Sequence, residues 1–380
     1  MNYFEESLKL HKELQGKINT VSKRPITTRD DLSLLYTPGV AAPCLAIAKN
    51  KEDAYLYTLK ANTIAVISDG SAVLGLGNIG PEAGLPVMEG KCVLFKEFAG
   101  VNAFPIILAT QDTEEIIQTI KMIAPTFGGI NLEDFSAPRC FEIEDRLKAE
   151  LDIPVMHDDQ HGTAIVVLAG LINALKITGK KKEEIRVVIN GLGAAGTAIL
   201  KLLRLYWVRH IIACDSKGIV SKDRPDLNSA KMKILEISNL DNLSGTLQDA
   251  LRWADVFVGV SVANAITRAD VATMNKDAMI FAMANPTPEI MPDEARAGGA
   301  RIIATGRSDF PNQLNNVLVF PGVFKWALKY RFRMITEEMK LGAAEALAAY
   351  VTNPTEDMII PNPLDKNVAN VVAESMAKFR

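Results

Sequence analysis

The sequence predicts an α/β protein of two domains: an N-terminal α/β domain and a C-terminal domain built on a doubly wound parallel sheet. Three observations lead there. The chain has 380 residues, more than one ordinary core accommodates. Short β-rich runs alternate with helical stretches from Thr63 onward, the pattern of strand–helix–strand units. A glycine triplet, Gly191-Leu-Gly-Ala-Ala-Gly196, stands between an apolar run and a helical segment, the Rossmann-type arrangement. The expected division is 1–160, carrying the acids and bases, and 161–380, a dinucleotide-binding domain with C-terminal helices.

Taken in order, residues 2–15 read as a helix stopped by Gly16. Pro38-Gly39 fixes a turn just after Tyr36. Thr63–Ile67 is a strand, followed by a glycine-rich loop from Asp69 to Gly80. Pro86–Phe95 opens a helix, Ala103–Ala109 is a strand and Thr113–Ala124 a helix. Gly129–Leu132 is a short strand ending in Glu133 and Asp134, and Ala137–Ala149 is a helix with Pro138 near its start. A second short apolar run from Ile153 ends in Asp158 and Asp159 before an apolar helix over 164–178, the expected hinge. After the solvated Lys180–Glu184 turn come strands at 186–189, 210–213, 256–260, 278–283 and 300–305, with helices between them. The tail from about 333 is Ala-rich and helical.

Composition excludes several classes. Hydrophobic residues make up 48% and charged residues 23%, with a net charge of −3 and no basic tract, so neither nucleic acid nor a membrane surface is an expected partner. The four cysteines are scattered without a C-x-x-C pair, against a zinc ribbon or a disulfide framework. The N-terminus lacks the basic and apolar regions of a secretion signal. No apolar run reads as bilayer-spanning, and the expected compartment is the cytoplasm.

The triplet at 191–196 assigns each residue a task. Gly191 allows the tight turn, Gly193 lets backbone approach a pyrophosphate, and Gly196 lets the helix pack on its strand. Ala194 and Ala195 lie in the same turn, whose free N–H groups suit phosphate. Asp215, 24 residues past Gly191, is placed to hold the adenosine ribose and favours NAD; Lys217 and Arg209 nearby leave NADP open. A second match, Gly75-Leu-Gly-Asn-Ile-Gly80, is followed by Pro81 and lacks the distal acid, so it is expected to line the cleft rather than to bind a dinucleotide of its own.

Glu133, Asp134, Asp158 and Asp159 form two acid pairs at two strand ends. Adjacent carboxylates repel, and a cation relieves that repulsion. Three carboxylate oxygens leave octahedral room for a chelating hydroxy acid and a water, which suits Mg²⁺ or Mn²⁺. The competing reading makes these acids helix N-caps. His157 and His161 stand four apart, but a glycine follows at a strand–helix junction, so they are expected to support the loop by hydrogen bonds rather than to bind zinc. Lys91 sits in an apolar context, where burial and nearby cations would lower its pKa toward neutrality and make it a base.

Beyond single motifs, the chain resembles malic enzyme of the short prokaryotic type. The resemblance runs from about residue 10 to beyond 330. It rests on the stretches Leu35–Pro43, Ser68–Pro81, Leu85–Lys91, Asn131–Phe135, His157–Ala164, Ala284–Glu289 and Asn315–Gly322. It implies that Tyr36 is the general acid, Lys91 the general base and Asp158 the acid assisting the lysine. It implies Glu133, Asp134 and Asp159 as metal ligands, and Asn285 and Asn315, with Asn316 beside it, as substrate residues; Asn285 is also expected at the cofactor. The implied reaction is oxidative decarboxylation of L-malate to pyruvate and CO₂ with reduction of NAD(P), decarboxylation of oxaloacetate as well, and a homodimer. Larger eukaryotic members carry a carboxylate-binding arginine where this chain has Ala72; backbone N–H groups of the 70–80 loop or a partner's basic residue would replace it. Some bacterial relatives carry a C-terminal phosphotransacetylase-like domain, for which this chain is expected to have no room. The alternative is another NAD-linked dehydrogenase with a lysine base, which would need no metal; a cofactor-binding sensor would need none of the catalytic residues.

Overall fold

The computed structural model describes residues 3–379. Four helices precede the first strand: α1 (Tyr3–Leu14), α2 (Arg29–Leu35), α3 (Ala41–Lys49) and α4 (Ala54–Tyr57). None joins the core. Across residues 3–62 the single buried residue is Asp31, whose carboxylate closes a capping box with Thr28. The segment is tied to the body at Lys17, whose N–H donates to Glu89 and whose Nζ donates to the Pro86 carbonyl.

The first sheet contains β1 (Thr63–Ser68), β2 (Asn102–Ile107), β3 (Gly129–Leu132) and β4 (Val155–His157), all parallel, in the order β2-β1-β3-β4. Parallel neighbours need crossover helices. These are α5 (Pro81–Ala99), α6 (Thr113–Ile123) and α7 (Arg139–Glu150). The chain leaves β1 toward β2 and later returns to the other side of β1 with β3, so the switch point lies at the carboxyl ends of β1 and β3. Asp69, Glu133 and Asp134 stand there. Helix α5 begins earlier than Pro86, because Pro81 at its first turn fixes the helical φ and lacks the N–H a helix start leaves unused.

Helix α8 (Asp158–Thr178) follows β4 directly. Asp158 and Asp159 therefore lie in its first turn, where the dipole favours carboxylates, rather than in a loop before residue 164. By length and composition α8 could cross a membrane, yet most of it is buried in the fold. It packs in one continuous core with residues of both sheets.

The second sheet is built from β5 (Arg186–Asn190), α9 (Ala194–Leu205), β6 (His210–Asp215), β7 (Gly218–Ile219), α10 (Ser229–Leu235), α11 (Leu247–Leu251), β8 (Val256–Gly259), α12 (Arg268–Val271), β9 (Ala278–Ala282), α13 (Pro292–Ala297) and β10 (Ala300–Thr305). Its order is β10-β9-β8-β5-β6-β7, parallel except for β7. The switch point here falls between β5 and β8. The two-residue β7 is too short to show in a hydrophobic pattern.

The tail helices α14 (Phe320–Tyr330), α15 (Glu337–Tyr350) and α16 (Val368–Ser375) do not stay with the second sheet. Phe320 and Phe324 of α14 meet Phe95 of α5 edge-to-face at 4.6 and 5.5 Å. A Cβ on Gly129 of β3 would stand 3.2 Å from the Phe324 ring. The C-terminal helices thus clamp the first sheet to α8 and help set the floor of the cleft.

Candidate active site

Lys91 is central. The expectation of a buried lysine holds: it is 7% exposed, on the inner face of α5. Its Nζ lies 2.7 Å from Asp158 Oδ2 and 2.8 Å from Glu133 Oε1, and 4.4 Å from the centre of the Phe320 ring. The expected direction of its pKa is corrected. Burial pushes it down, but Asp158, Glu133 and Asp159 outweigh burial and hold it above the ordinary lysine value. Its close ionic neighbours are carboxylates, not cations.

Asp158 is fully buried. Its Oδ2 accepts from Lys91 and, at 2.6 Å, from Asn316 Nδ2, while Oδ1 has no partner. Burial raises its pKa, opposed by Lys91 and reinforced by Glu133. Gly162, one turn on, keeps this carboxylate in place: a Cβ there would stand 2.0 Å from Asp158 Oδ1.

Glu133, Asp134 and Asp159 come together as expected, each offering an oxygen within 4.8 Å of the others. Asp134 adopts a left-handed φ of +57°, which Asp tolerates better than most residues. Its N–H donates to Asp159 Oδ2 at 2.7 Å. Burial raises the pKa of both Glu133 and Asp159; Lys91 opposes this, and a neighbouring carboxylate adds to it in each case. Three clustered carboxylates, two of them destabilised as anions by burial and a neighbouring carboxylate, form a donor set suited to a hard divalent cation. Asn131, which the sequence reading did not single out, donates to Glu133 Oε2 at 2.8 Å and fixes its rotamer.

The 69–80 loop lies over this cluster. Ala72 N–H donates to the Asp134 carbonyl at 2.9 Å, and Ser136 N–H donates to Ser71 Oγ at 3.0 Å. Buried Asp69 pairs with Arg139 at 2.5 Å. The Ala72 N–H is thus engaged within the protein rather than open to a substrate carboxylate. The loop also reaches the second domain, where a Cβ on Gly75 would stand 2.1 Å from the Asn285 carbonyl. The second glycine match lines the junction of the two sheets, as expected.

The two asparagines differ from the expectation in detail. Asn285 is exposed beside Gly75. Asn315 uses its side-chain oxygen to accept from Val317 N–H at 2.9 Å, which leaves its amide NH₂ available. Its neighbour Asn316, not Asn315, touches Asp158. Under the site, Glu144 Oε1 accepts the His157 N–H at 3.0 Å and Oε2 contacts His161 Nε2 at 2.9 Å. His161 Nδ1 lies 2.9 Å from Lys340 Nζ. So His161 is hydrogen-bonded as expected, but it links helices α7, α8 and α15 rather than supporting a loop. The His157 ring makes no hydrogen bond and is 3.4 Å from Asp159.

The Tyr36 side chain makes no hydrogen bond or ring contact with this cluster among the described residues. It is 66% exposed and belongs to the unpacked N-terminal segment.

At the second switch point each glycine has a physical reason. Gly191 has φ +106°, and a Cβ would meet the Val260 carbonyl at 2.6 Å; on Gly196 it would meet the Gly191 carbonyl at 1.8 Å. Gly193, at the N-cap of α9, faces open space, the room a pyrophosphate needs before Ala194 and Ala195. Asp215 stands at the end of β6 as expected, but it is heavily engaged. Arg224 grips it bidentately at 2.8 and 2.9 Å, Lys231 donates at 2.6 Å and Lys217 N–H at 2.9 Å. These donors outweigh burial and hold its pKa at about 2. The Lys217 side chain pairs instead with Asp226.

The sequence matches the malic enzyme N-terminal domain family over residues 15–148 and the malic enzyme NAD binding domain family over 160–379. It is 57% identical to the bifunctional malic/malolactic enzyme of Bacillus subtilis (strain 168), covering 100% of this chain and 93% of that protein. It is 56% identical to the NAD-dependent malic enzyme of Geobacillus stearothermophilus, covering 100% and 79%. The NADP-dependent malic enzyme of Escherichia coli (strain K12) is 44% identical, and the chain spans 50% of its length. The crystal structure of the NAD-dependent malic enzyme from Thermotoga maritima superposes with a TM-score of 0.95 at 50% identity, covering 97% of this chain and 98% of that one.

Proposed function

The chain belongs to the malic enzyme family and is an NAD(P)-dependent enzyme of that kind, and from that premise we propose how its residues carry out oxidative decarboxylation of L-malate to pyruvate and CO₂. The observation that carries the reading is the Lys91 amine, buried between Asp158 and Glu133 beside a third and a fourth carboxylate. Lys91 passes its own proton to Asp158, whose carboxyl is made receptive by burial. The neutral amine then takes the C2 hydroxyl proton of malate as hydride leaves C2 for the nicotinamide. Breaking the C3–C4 bond releases CO₂ and leaves an enolate, which Tyr36 protonates at C3.

Glu133, Asp134 and Asp159 would hold Mg²⁺ or Mn²⁺, which when bound supplies Lewis-acid stabilisation of charge on the substrate C2 oxygen. Asn315, with its free amide donor, and Asn285 orient the substrate. Oxaloacetate enters the same sequence after the hydride step, so the site decarboxylates it without net cofactor reduction. Equal amounts of pyruvate and reduced cofactor from L-malate test this reading; reduced cofactor without pyruvate would overturn it.

Tyr36 reaches the substrate from a second copy of the chain. Residues 3–62 expose Phe4, Leu8, Val21, Leu34, Tyr36 and Leu45, each more than 60%, a surface that calls for a cover. A homodimer through this segment covers it and supplies the missing acid. At the adenosine end, Arg224 and Lys231 offset the charge of Asp215. NAD is the primary cofactor in this reading, and the two cations let the site accept the 2′-phosphate of NADP as well.

A further inference from the structure

The second sheet has another concavity at its opposite edge. A cavity of about 450 Å³ lies where β5 and β6 begin and α9 ends. Arg186 and His210, register partners at the first residues of β5 and β6, line one side. Arg204 and Trp207, from the end of α9, line another with Arg209. Helix α9 is 12 residues long, so about 18 Å separates this cavity from the glycine turn at its other end. The volume suits a small molecule.

Its charge is unusual for this chain. Among the described residues, nine arginines pair with a carboxylate: Arg24, Arg139, Arg146, Arg224, Arg296, Arg301, Arg307, Arg331 and Arg333. Arg186, Arg204 and Arg209 do not, nor do Arg29, Arg252 and Arg268 elsewhere in the chain, but the first three are gathered in one cavity. Arg204 gives one nitrogen to the Val208 and Arg209 carbonyls, at 3.1 and 3.0 Å, and keeps the rest of its fork. Asp241 is the one carboxylate among the lining residues. Three guanidinium groups gathered around a single carboxylate leave an excess of positive charge, and an anion relieves it.

Trp207 is 67% exposed and has φ +73°, a left-handed conformation that is unfavourable for a bulky residue. An exposed aromatic held in this way is a stacking platform. The facing wall, with Leu240 and Leu243, is preformed. Asn239 Nδ2 donates to the Val220 and Leu243 carbonyls, and its oxygen accepts from Leu243 N–H.

We propose that this cavity is a second ligand site for an aromatic phosphate of nucleotide type, with Arg186, Arg204 and Arg209 on the phosphates and Trp207 against the ring. None of these residues takes part in the reaction; Arg209, expected near Asp215, in fact precedes β6 at the end opposite to it. A ligand there is coupled to the cofactor through α9, and the coupling is reciprocal: whatever its occupant does to NAD affinity, NAD does to the occupant's.

The test is calorimetric titration of ATP into the enzyme held at saturating NAD⁺, so that the dinucleotide site is filled. One further equivalent per chain is expected. Arg186→Glu and Arg209→Glu each weaken it by at least about tenfold, and Trp207→Ala weakens it as well, while malate turnover without ATP is unchanged in all three. Inorganic tripolyphosphate, lacking the ring, binds more weakly than ATP and is insensitive to Trp207→Ala. No heat above the NAD⁺-saturated baseline, or binding that the three variants leave unchanged, would overturn the site. Equal affinity for tripolyphosphate and ATP would overturn the aromatic class.

Discussion

Lys91 and Asp158 stand 67 residues apart in sequence, on α5 and on the first turn of α8, and their side chains meet at 2.7 Å in a buried pocket. Neither carries its chemistry alone. An isolated buried lysine would lose its charge, and an isolated buried aspartate would take up a proton. Together each sustains the other's charge: Asp158 raises the pKa of Lys91, and Lys91 opposes the rise that burial imposes on Asp158. Lys91→Ala is expected to lower kcat by about 10²–10⁴-fold, the ordinary worth of a positioned base. Asp158→Asn should lower kcat with a smaller effect on KM. A wild-type kcat in Lys91→Ala would remove the lysine from the mechanism.

Gly162→Ala reaches the same pair without touching either residue. The added methyl would stand 2.0 Å from Asp158 Oδ1, so the carboxylate must turn away from Lys91. Overpacking of this kind costs about 1–3 kcal/mol of stability. A large fall in kcat with cofactor affinity unchanged is the expected pattern, read by steady-state kinetics and by fluorescence titration of NADH.

Asp159→Asn removes one oxygen charge from the proposed cation cage. The Mn²⁺ concentration for half-maximal activity is expected to rise by at least about tenfold, with much of the rate recovered at high Mn²⁺. Unchanged Mn²⁺ dependence would take Asp159 out of the donor set.

Supply of Tyr36 by the partner has a complementation test. Tyr36→Phe and Lys91→Ala are each expected to be nearly inactive as homodimers. In a mixed dimer, one site pairs an intact Lys91 with an intact Tyr36. Half of a random mixture is mixed dimer with one good site of two, so about a quarter of wild-type activity returns on mixing unfolded and refolded chains. No recovery would mean that each chain supplies both groups to its own site.

His161 gives a pH signature. Burial first, then Lys340, lower its pKa to about 4, with Glu144 opposing. A histidine lowered on folding binds its proton more readily in the unfolded chain. Stability is therefore full above about pH 6.5 and falls as pH drops from there toward 4. His161→Gln should flatten the fall of Tm across that window while lowering Tm at pH 7, because it breaks the bridge from Glu144 to Lys340.

The legible parts of this molecule are those that local chemistry dictates. The strand at Gly129–Leu132 was set by a short apolar run ending in acids, and the turn at Gly191–Gly196 by its strand and helix context. The meeting of Glu133, Asp134 and Asp159 followed because both acid pairs end parallel strands of one sheet. Long-range partners were not legible. Nothing in the Lys91 stretch shows that its ionic neighbours are acids, so its pKa shift was expected with the wrong sign. Asn316 reaches Asp158 across 158 positions, and Arg224 caps Asp215 from a loop without regular pattern. Nor does a motif around a single tyrosine encode that Tyr36 is exposed.

The most direct test of the central claim is malate oxidation by metal-stripped enzyme, followed at 340 nm with NAD and with NADP while Mn²⁺ is added back and pyruvate is assayed in the same tube. The account predicts no turnover before Mn²⁺ is added, then reduced cofactor and pyruvate rising together in equal amounts, and neither product from Lys91→Ala. Full turnover without a divalent cation, or reduced cofactor without pyruvate, would contradict it.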